Sequence, residues 1–151
     1  DYSDRLTLLA DVTHTKWSNI QETRILRKSD GSSLQSVPLQ WHDSYRYSMG
    51  LRYKQDKHWT WRAGIAFDQA PVRDSYRTAR VPSEDTIWLT FGSRFTVSPD
   101  LHLDVTYAQI WVEDASLNEP FDSGAGFITG TLRGEYEADL DVVGLQLQWD
   151  L

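Results

Sequence analysis

The sequence has no cysteine and only one methionine. Without cysteine there can be no disulfide, no thiolate-bound zinc and no thiol nucleophile, a composition that suits an exported bacterial protein. There is also no run of about 18 consecutive apolar residues, which excludes a transmembrane helix. That test does not reach a β-barrel, whose apolar residues are diluted by lumen-facing polar ones. Excess positive charge is lacking too. Lys and Arg number 15 against 22 Asp and Glu, for a net charge of −7, whereas nucleic-acid binders need basic patches to release counterions. No nucleic-acid partner is therefore expected. The chain opens at Asp1 with neither a charged leader nor an apolar leader core, so the leader is either cleaved or lies outside this stretch.

What is present in quantity is aromatic: seven Trp and seven Tyr in 151 residues. The length suits one domain, and the order within it is alternation of period two, with no convincing helical period. Tyr45, Tyr47, Met49, Leu51 and Tyr53 share one parity, and Ser44, Arg46, Ser48, Gly50 and Arg52 the other. Trp59, Trp61, Ala63, Ile65 and Phe67 alternate with Thr60, Arg62, Gly64, Ala66 and Asp68. Ile87, Leu89, Phe91, Phe95 and Val97 oppose Trp88, Thr90, Gly92 and Arg94. In the next stretch Leu101, Leu103, Val105, Tyr107 and Trp111 oppose His102, Asp104, Thr106 and Ala108. A first strand carries Leu6, Leu8, Ala10 and Val12 against Thr7, Leu9, Asp11 and Thr13, with a kink or break at Trp17-Ser18 before Ile20–Arg27. A last strand carries Val143, Leu145, Leu147, Trp149 and Leu151.

The connections differ in kind. Gln55-Asp56-Lys57-His58 and Ser98-Pro99-Asp100 are tight turns, the second with Pro fixing φ and Asp and Ser bonding back to the backbone. Long polar loops cover about 29–41, 69–85 and 114–137. Short turns at one end and long loops at the other is the arrangement of outer-membrane barrels, periplasmic and extracellular respectively. The apolar faces carry almost no charge over about 9–11 residues, the span of a tilted transmembrane strand. Aromatics gather toward strand ends: Tyr53, Trp59 and Trp149 near the short turns, Tyr45, Tyr107 and Trp111 toward the loops, as interfacial girdles do. A soluble sandwich is the competing reading, but it needs a second sheet to bury the aromatic face.

The predicted fold class is thus all-β, an antiparallel transmembrane β-barrel, with residues 1–151 forming one part of a single barrel domain. Six predicted strands are fewer than the eight of the smallest single-chain barrels. The missing strands are expected on the N-terminal side, because Gly144, Leu145, Leu147, Trp149 and Leu151 look like the C-terminal signal read by the barrel-assembly machinery. That signal usually ends on an aromatic, and here it ends on Leu.

Longer stretches are more specific than the alternation. Asp43 to Tyr53, His58 to Asp68, Ala70-Pro-Val-Arg-Asp74, Arg80 to Asp85 and Ile87 to Gly92 resemble the long-chain fatty acid transporter family of outer-membrane proteins, which includes aromatic-hydrocarbon channels. Ala10-Asp-Val-Thr13, Lys16-Trp-Ser18 and Gly134-Glu-Tyr136 extend the likeness over essentially the whole chain. The resemblance implies a 14-stranded barrel, within the even-numbered range of such proteins, plugged by an N-terminal hatch. This chain would then be its C-terminal six strands. It also implies passive uptake of hydrophobic compounds through an outer groove, a lumen pocket and a lateral gap at a kinked strand.

Candidate site residues follow from parity. Arg46, Arg52, Arg62, Arg94, Asp11, Asp68 and Asp104 fall on lumen-facing positions, where they either form a structural ion-pair network or include an Arg that meets a fatty-acid carboxylate bidentately. Arg46, nearest the loops, is the choice for the second role. Val37, Leu39 and Trp41 either face the ligand or pack beneath a loop, and Phe121, Phe127 and Ile128 either border an entry groove or pack within theirs. Pro71 to Asp74 and Pro82 stiffen a long loop.

No catalytic residue, metal or cofactor is expected. His102 and Asp104 share a face, but no Gly-x-Ser-x-Gly elbow exists, and Glu113, Asp114 and Asp122 lack the calcium-loop spacing. The expected partners are outer-membrane lipid and a hydrophobic small molecule, the choice between fatty acid and aromatic hydrocarbon staying open. The alternatives are a non-transporting adhesin or structural barrel, and more remotely an outer-membrane lipase.

Overall fold

The computed structural model describes residues 4–122 and 128–150. Ten strands follow in order: β1 (Leu6–Thr15), β2 (Glu22–Leu26), β3 (Ser33–Pro38), β4 (Ser44–Lys54), β5 (Trp59–Asp68), β6 (Thr86–Ser98), β7 (Leu101–Val112), β8 (Ala115–Asp122), β9 (Ile128–Tyr136) and β10 (Asp139–Trp149). Six form one antiparallel sheet in the order β1-β4-β5-β6-β7-β10, and the others form two hairpins, β2-β3 and β8-β9. The sheet strands are the six expected from alternation.

The last sheet strand begins at Asp139, where the long loop was expected to end, and Asp139 to Val142 pair with Trp111, Ile110, Gln109 and Ala108. Two segments differ from expectation. The segment at 29–41 is not a plain loop: Ser33–Pro38 pairs with Glu22–Leu26, around a turn in which Gly31 takes φ +70° and its N–H bonds the Arg27 carbonyl at 2.9 Å. The segment at 114–137 likewise contains β8 and β9. Both hairpins are largely polar and lack long apolar alternation, the signal that marks the sheet strands. The break near Trp17-Ser18 is a short 3-10 turn at Trp17–Asn19.

The sheet is a single layer. No large side chain among the described residues is fully buried, and the few buried apolar residues include Ala66 and Ile110 in the sheet and Ala70, Val72, Ala115 and Leu117 near the long connections. The face bearing Met49, Phe91, Val143 and Leu145 is open, with exposures of 67, 53, 76 and 75%. An apolar expanse of this kind in a soluble monomer would be an aggregation site. Strands of 10 to 13 residues are long enough, when tilted, to cross the hydrocarbon layer.

The two ends of the sheet are built differently. At the short-turn end, Asp56 Oδ1 accepts the N–H groups of His58 at 2.7 Å and Trp59 at 2.9 Å. Those bonds close the β4-β5 turn and hold the Asp56 carboxyl below its ordinary range. Trp59 stacks on Trp61 at 5.2 Å and tilts against Phe95 at 4.8 Å, and the Trp61 indole N–H bonds the Gln55 side-chain carbonyl at 2.8 Å. Rings with one apolar and one polar side fit the headgroup boundary. Tyr45 and Trp111 stand at the opposite end, with Tyr107 further down its strand.

At the long-loop end, the connection 69–85 links the two hairpin regions. Its Arg73 Nε donates to the Gln40 carbonyl at 2.8 Å, and its Pro71 carbonyl accepts from the His42 N–H at 3.0 Å. On the other side, Arg77 Nη1 donates to the Ser116 carbonyl at 2.9 Å, and the Ala79 N–H donates to Glu119 Oε2 at 2.8 Å. The Arg77 side chain, 1% exposed, also pairs with Asp74 and Glu84. Burial raises the Glu84 carboxyl above the ordinary carboxylate range, and the opposing pull of Arg77 does not cancel it.

Two outcomes are expected. Phe91→Arg on the apolar face of mid-β6 should cost about 2–4 kcal/mol in a bilayer refolding equilibrium, and Thr90→Arg on the other face much less; equal costs would refute the assignment of faces. Arg77→Ala removes the buried partner of Glu84 and should lower the local opening free energy of the loop end by about 3–5 kcal/mol. It should be read as faster surface proteolysis between 69 and 85 on intact cells, with the sheet itself unchanged by circular dichroism.

Candidate functional site

Register orders the inner face into rows. One row runs Leu9, Gly50, Gly64, Thr90, Ala108 and Val142, each directly opposite the next across all six strands. The row above it, toward the loops, runs Asp11, Ser48, Ala66, Trp88, Ile110 and Leu140. Asp11 at one edge aside, they make a band of mostly small and apolar groups about two residues tall. A shallow recess opens on it, lined by Leu9, Asp11, Arg46, Gly64, Ala66 and Trp88, and a second runs on past Thr90, Ala108 and Val142.

The recess exists because side chains are missing at its floor. A Cβ on Gly64 would sit 2.9 Å from Thr90 Oγ1 and 3.3 Å from the Met49 carbonyl, inside normal contact. The Thr90 hydroxyl donates to the Gly64 carbonyl at 3.2 Å, which keeps this floor flat. At the band's far edge a Cβ on Gly144 would meet Thr106 Oγ1 at 2.5 Å.

Charge lies above and below this band. Above it, Arg46 Nη1 pairs with Asp68 Oδ2 at 2.9 Å, and its guanidinium lies 5.0 Å from the Trp88 ring centroid. The cation is therefore held by one carboxylate and one π face, with 38% of the side chain still exposed. Below the band, Arg94 grips Asp104 with two nitrogens, Nε–Oδ1 at 2.9 Å and Nη2–Oδ2 at 2.6 Å, and Arg62 Nη1 reaches Asp104 Oδ1 at 3.1 Å. Gln148 Oε1 accepts a further bond from Arg94 at 3.2 Å. Asp104 is buried beneath its two partners.

Of the charged residues expected to face inward, Arg46, Asp68, Arg62, Arg94 and Asp104 are brought together in these two groups. The other two stand apart. Asp11 accepts the Thr13 hydroxyl at 2.8 Å, and Arg52 donates only to Thr7 Oγ1 at 3.3 Å. Val37 lies in β3 opposite Thr23. The Leu39 N–H bonds the Gln21 carbonyl at 2.8 Å, and Trp41 meets Trp17 edge-on at 5.5 Å. None of the three lines the recess beside Arg46. Phe127 lies outside the described residues, as does Leu151; Phe121 and Ile128 stand at the end of the β8-β9 ladder farthest from the Ala115–Tyr136 pair. His102 Nδ1 lies 3.1 Å from Thr96 Oγ1. Asp104 is engaged by arginines, so the two do not form a relay.

Sequence reading passed over the floor of the recess. Its signals were present: two glycines at inward parity on adjacent strands, and Trp88 and Leu9 as large apolar groups on a polar face. Only register shows that they adjoin.

A one-layer sheet with a hydrocarbon-compatible outer face, aromatic rims and a charged, recessed inner face is a segment of outer-membrane β-barrel wall. The comparisons with known proteins agree. Residues 1–151 match the family of outer membrane protein transport proteins, OMPP1/FadL/TodX, and the chain belongs to that family. A long-chain fatty acid transport protein of Salmonella typhi is 32% identical over 124 residues, which are 80% of this chain and 28% of that protein. Outer membrane protein P1 of Haemophilus influenzae is 32% identical over 108 residues, 72% of this chain and 23% of that protein. The crystal structure of a Pseudomonas aeruginosa FadL homologue matches with a TM-score of 0.88 at 30% identity, covering 99% of this chain and 33% of that one. The chain thus spans a third or less of the relatives it matches, and its place is the outer membrane of a bacterium.

Gly64→Val should destabilise the wall by about 1–3 kcal/mol, the range of overpacking, through displacement of the Thr90 hydroxyl. Unfolding of the full-length protein in detergent micelles would measure it, and an unchanged midpoint would mean that the floor is not close-packed.

Proposed function

We propose that this chain is the wall and extracellular-loop portion of a passive outer-membrane channel for hydrophobic compounds such as long-chain fatty acids. The observation that carries the proposal is the inner band of small and apolar groups beside Arg46. A lumen meant only for ions or water has no use for a greasy, side-chain-free floor. Here Gly50, Gly64, Ala66, Ala108 and Val142 offer an alkyl chain a smooth surface, and burying each methylene there is worth about 0.8 kcal/mol. Arg46, partly exposed at the loop end of that surface, is placed to receive a carboxylate, exchanging or sharing it with Asp68.

Transport in this scheme needs no chemistry. The ligand leaves an amphipathic outer leaflet, lodges its chain on the band, and moves on down its own gradient. A hatch, gate or lateral exit would be supplied by strands and segments outside these residues. The names of the relatives, one a fatty acid transport protein, support the substrate class. An adhesin barrel would expect binding groups on the loops and gives no reason for the recess. A lipase would need a nucleophile near His102, and the nearest hydroxyl described there is that of Thr96.

Cells expressing the full-length protein should take up labelled oleate faster than a barrel-null control, and an equal rate would sink the reading. Arg46→Gln should weaken oleate binding by roughly tenfold, the value of one charge-assisted hydrogen bond, while expression and heat-modifiability stay normal.

A further inference from the structure

Below the apolar band, Arg52 on β4 and Arg62 on β5 stand directly opposite each other in register, on the inner face. Like charges in that relation destabilise a strand pair. Their environment does not relieve the repulsion equally. Arg62 has a share of Asp104, already gripped by two nitrogens of Arg94. Arg52 has no carboxylate within ion-pair distance among the described residues, only the Thr7 hydroxyl at 3.3 Å. Lys54, the next inward position on β4, adds another positive charge. One carboxylate thus serves two of these three arginines, and Arg52 is left without one among the described residues.

The position of this surplus is informative. The row containing both arginines continues through Gly92, Thr106 and Gly144, which leave the guanidinium groups free of bulky neighbours. A recess joins Arg52 and Arg62 to Leu9, Gly50, Ala108 and Val142 on the apolar band. A cationic pair at one end of a greasy floor matches an amphiphile with a single anionic head.

We propose that Arg52, with Arg62, is a second carboxylate-binding station, which takes the headgroup of a bound amphiphile while its alkyl chain lies on the Leu9–Val142 row. The station rests on the transport reading above and deepens it. An alkyl carboxylate would enter at Arg46 and be handed across the band to Arg52, nearer the short-turn end. The same cationic pair would also accept an Asp or Glu side chain from another part of the barrel, and the test separates the two sources.

The full-length protein in detergent micelles is titrated with oleate and with oleyl alcohol, which has the chain without the charge. Arg52→Gln is expected to weaken oleate roughly tenfold, leave oleyl alcohol within about twofold, and leave the ligand-free melting temperature equal or higher, since the opposed charges are relieved. A lower ligand-free melting temperature with unchanged oleate affinity would identify a side-chain carboxylate as the occupant and overturn the ligand station. Equal losses for oleate and the alcohol, or no loss for either, overturn it too. A wild-type protein that binds neither amphiphile overturns the transport reading along with it, whereas tight alcohol binding with an indifferent Arg52 removes the station alone. Should Arg52→Gln fail to assemble, Arg52→Lys keeps the charge but loses the two-nitrogen fork. It should then weaken oleate but not the alcohol, and an unchanged oleate affinity refutes the station.

Discussion

Everything in this molecule depends on lateral backbone pairing. A sheet in hydrocarbon has no water to satisfy a free N–H or carbonyl, so each strand must be bonded to a neighbour along its length. The ladders between β1 and β10 meet that demand inside the sheet, with one register shift between Thr96 and Ser98 near the β6-β7 turn, while the outer edges of β1 and β10 have no neighbour among the described residues. Once the backbone is locked in this way, the side chains need no common core, and there is none. The outer face is stabilised by lipid and the inner face by its own polar contacts. The sheet works as a boundary between the two.

The inner face keeps its charged and its apolar groups at different levels. Its ion pairs are collected at two levels, around Asp68 and around Asp104, and the rows between are mostly small or apolar, with Asp11 the one charged residue in them. Asp68 and Asp104 are each held by arginine, which fixes those ionic groups above and below the band. Arg94 and Asp104 also join β6 to β7, and Arg62 brings in β5. The ionic cluster therefore ties three strands of the wall together below the floor of the recess.

The six wall strands were legible in the sequence because two solvents impose a period of two on them. Phe91 and Thr90, adjacent in sequence, answer to different media, and the contrast survives as a pattern. The hairpins β2-β3 and β8-β9 answer to water on most sides, so residues such as Thr23, Arg24 and Ser36 carry no such contrast and read as loop. The candidate site was legible only in part. Parity placed Arg46 and Asp68 on the same face, but nothing in the sequence states that Gly50 stands beside Gly64, or that Arg52 stands beside Arg62. Those are facts of register, and register is decided by turns and pairing between strands. Arg77 was likewise invisible, since its burial depends on Glu84 and Ser116 arriving from other segments.

The single layer has one further consequence, for how such a chain can change in length. Each wall residue is assigned to lipid or lumen by whether its position is odd or even. Removing one residue from the middle of β4, with Arg46 held in place, would carry Arg52 to the membrane side and Leu51 and Tyr53 into the lumen, half a strand at once. Insertions and deletions are therefore confined to the connections, which are two to four residues at one end and much longer at the other. The long loops, tied together by backbone bonds and one buried arginine, are where this barrel can be lengthened or shortened without losing its wall.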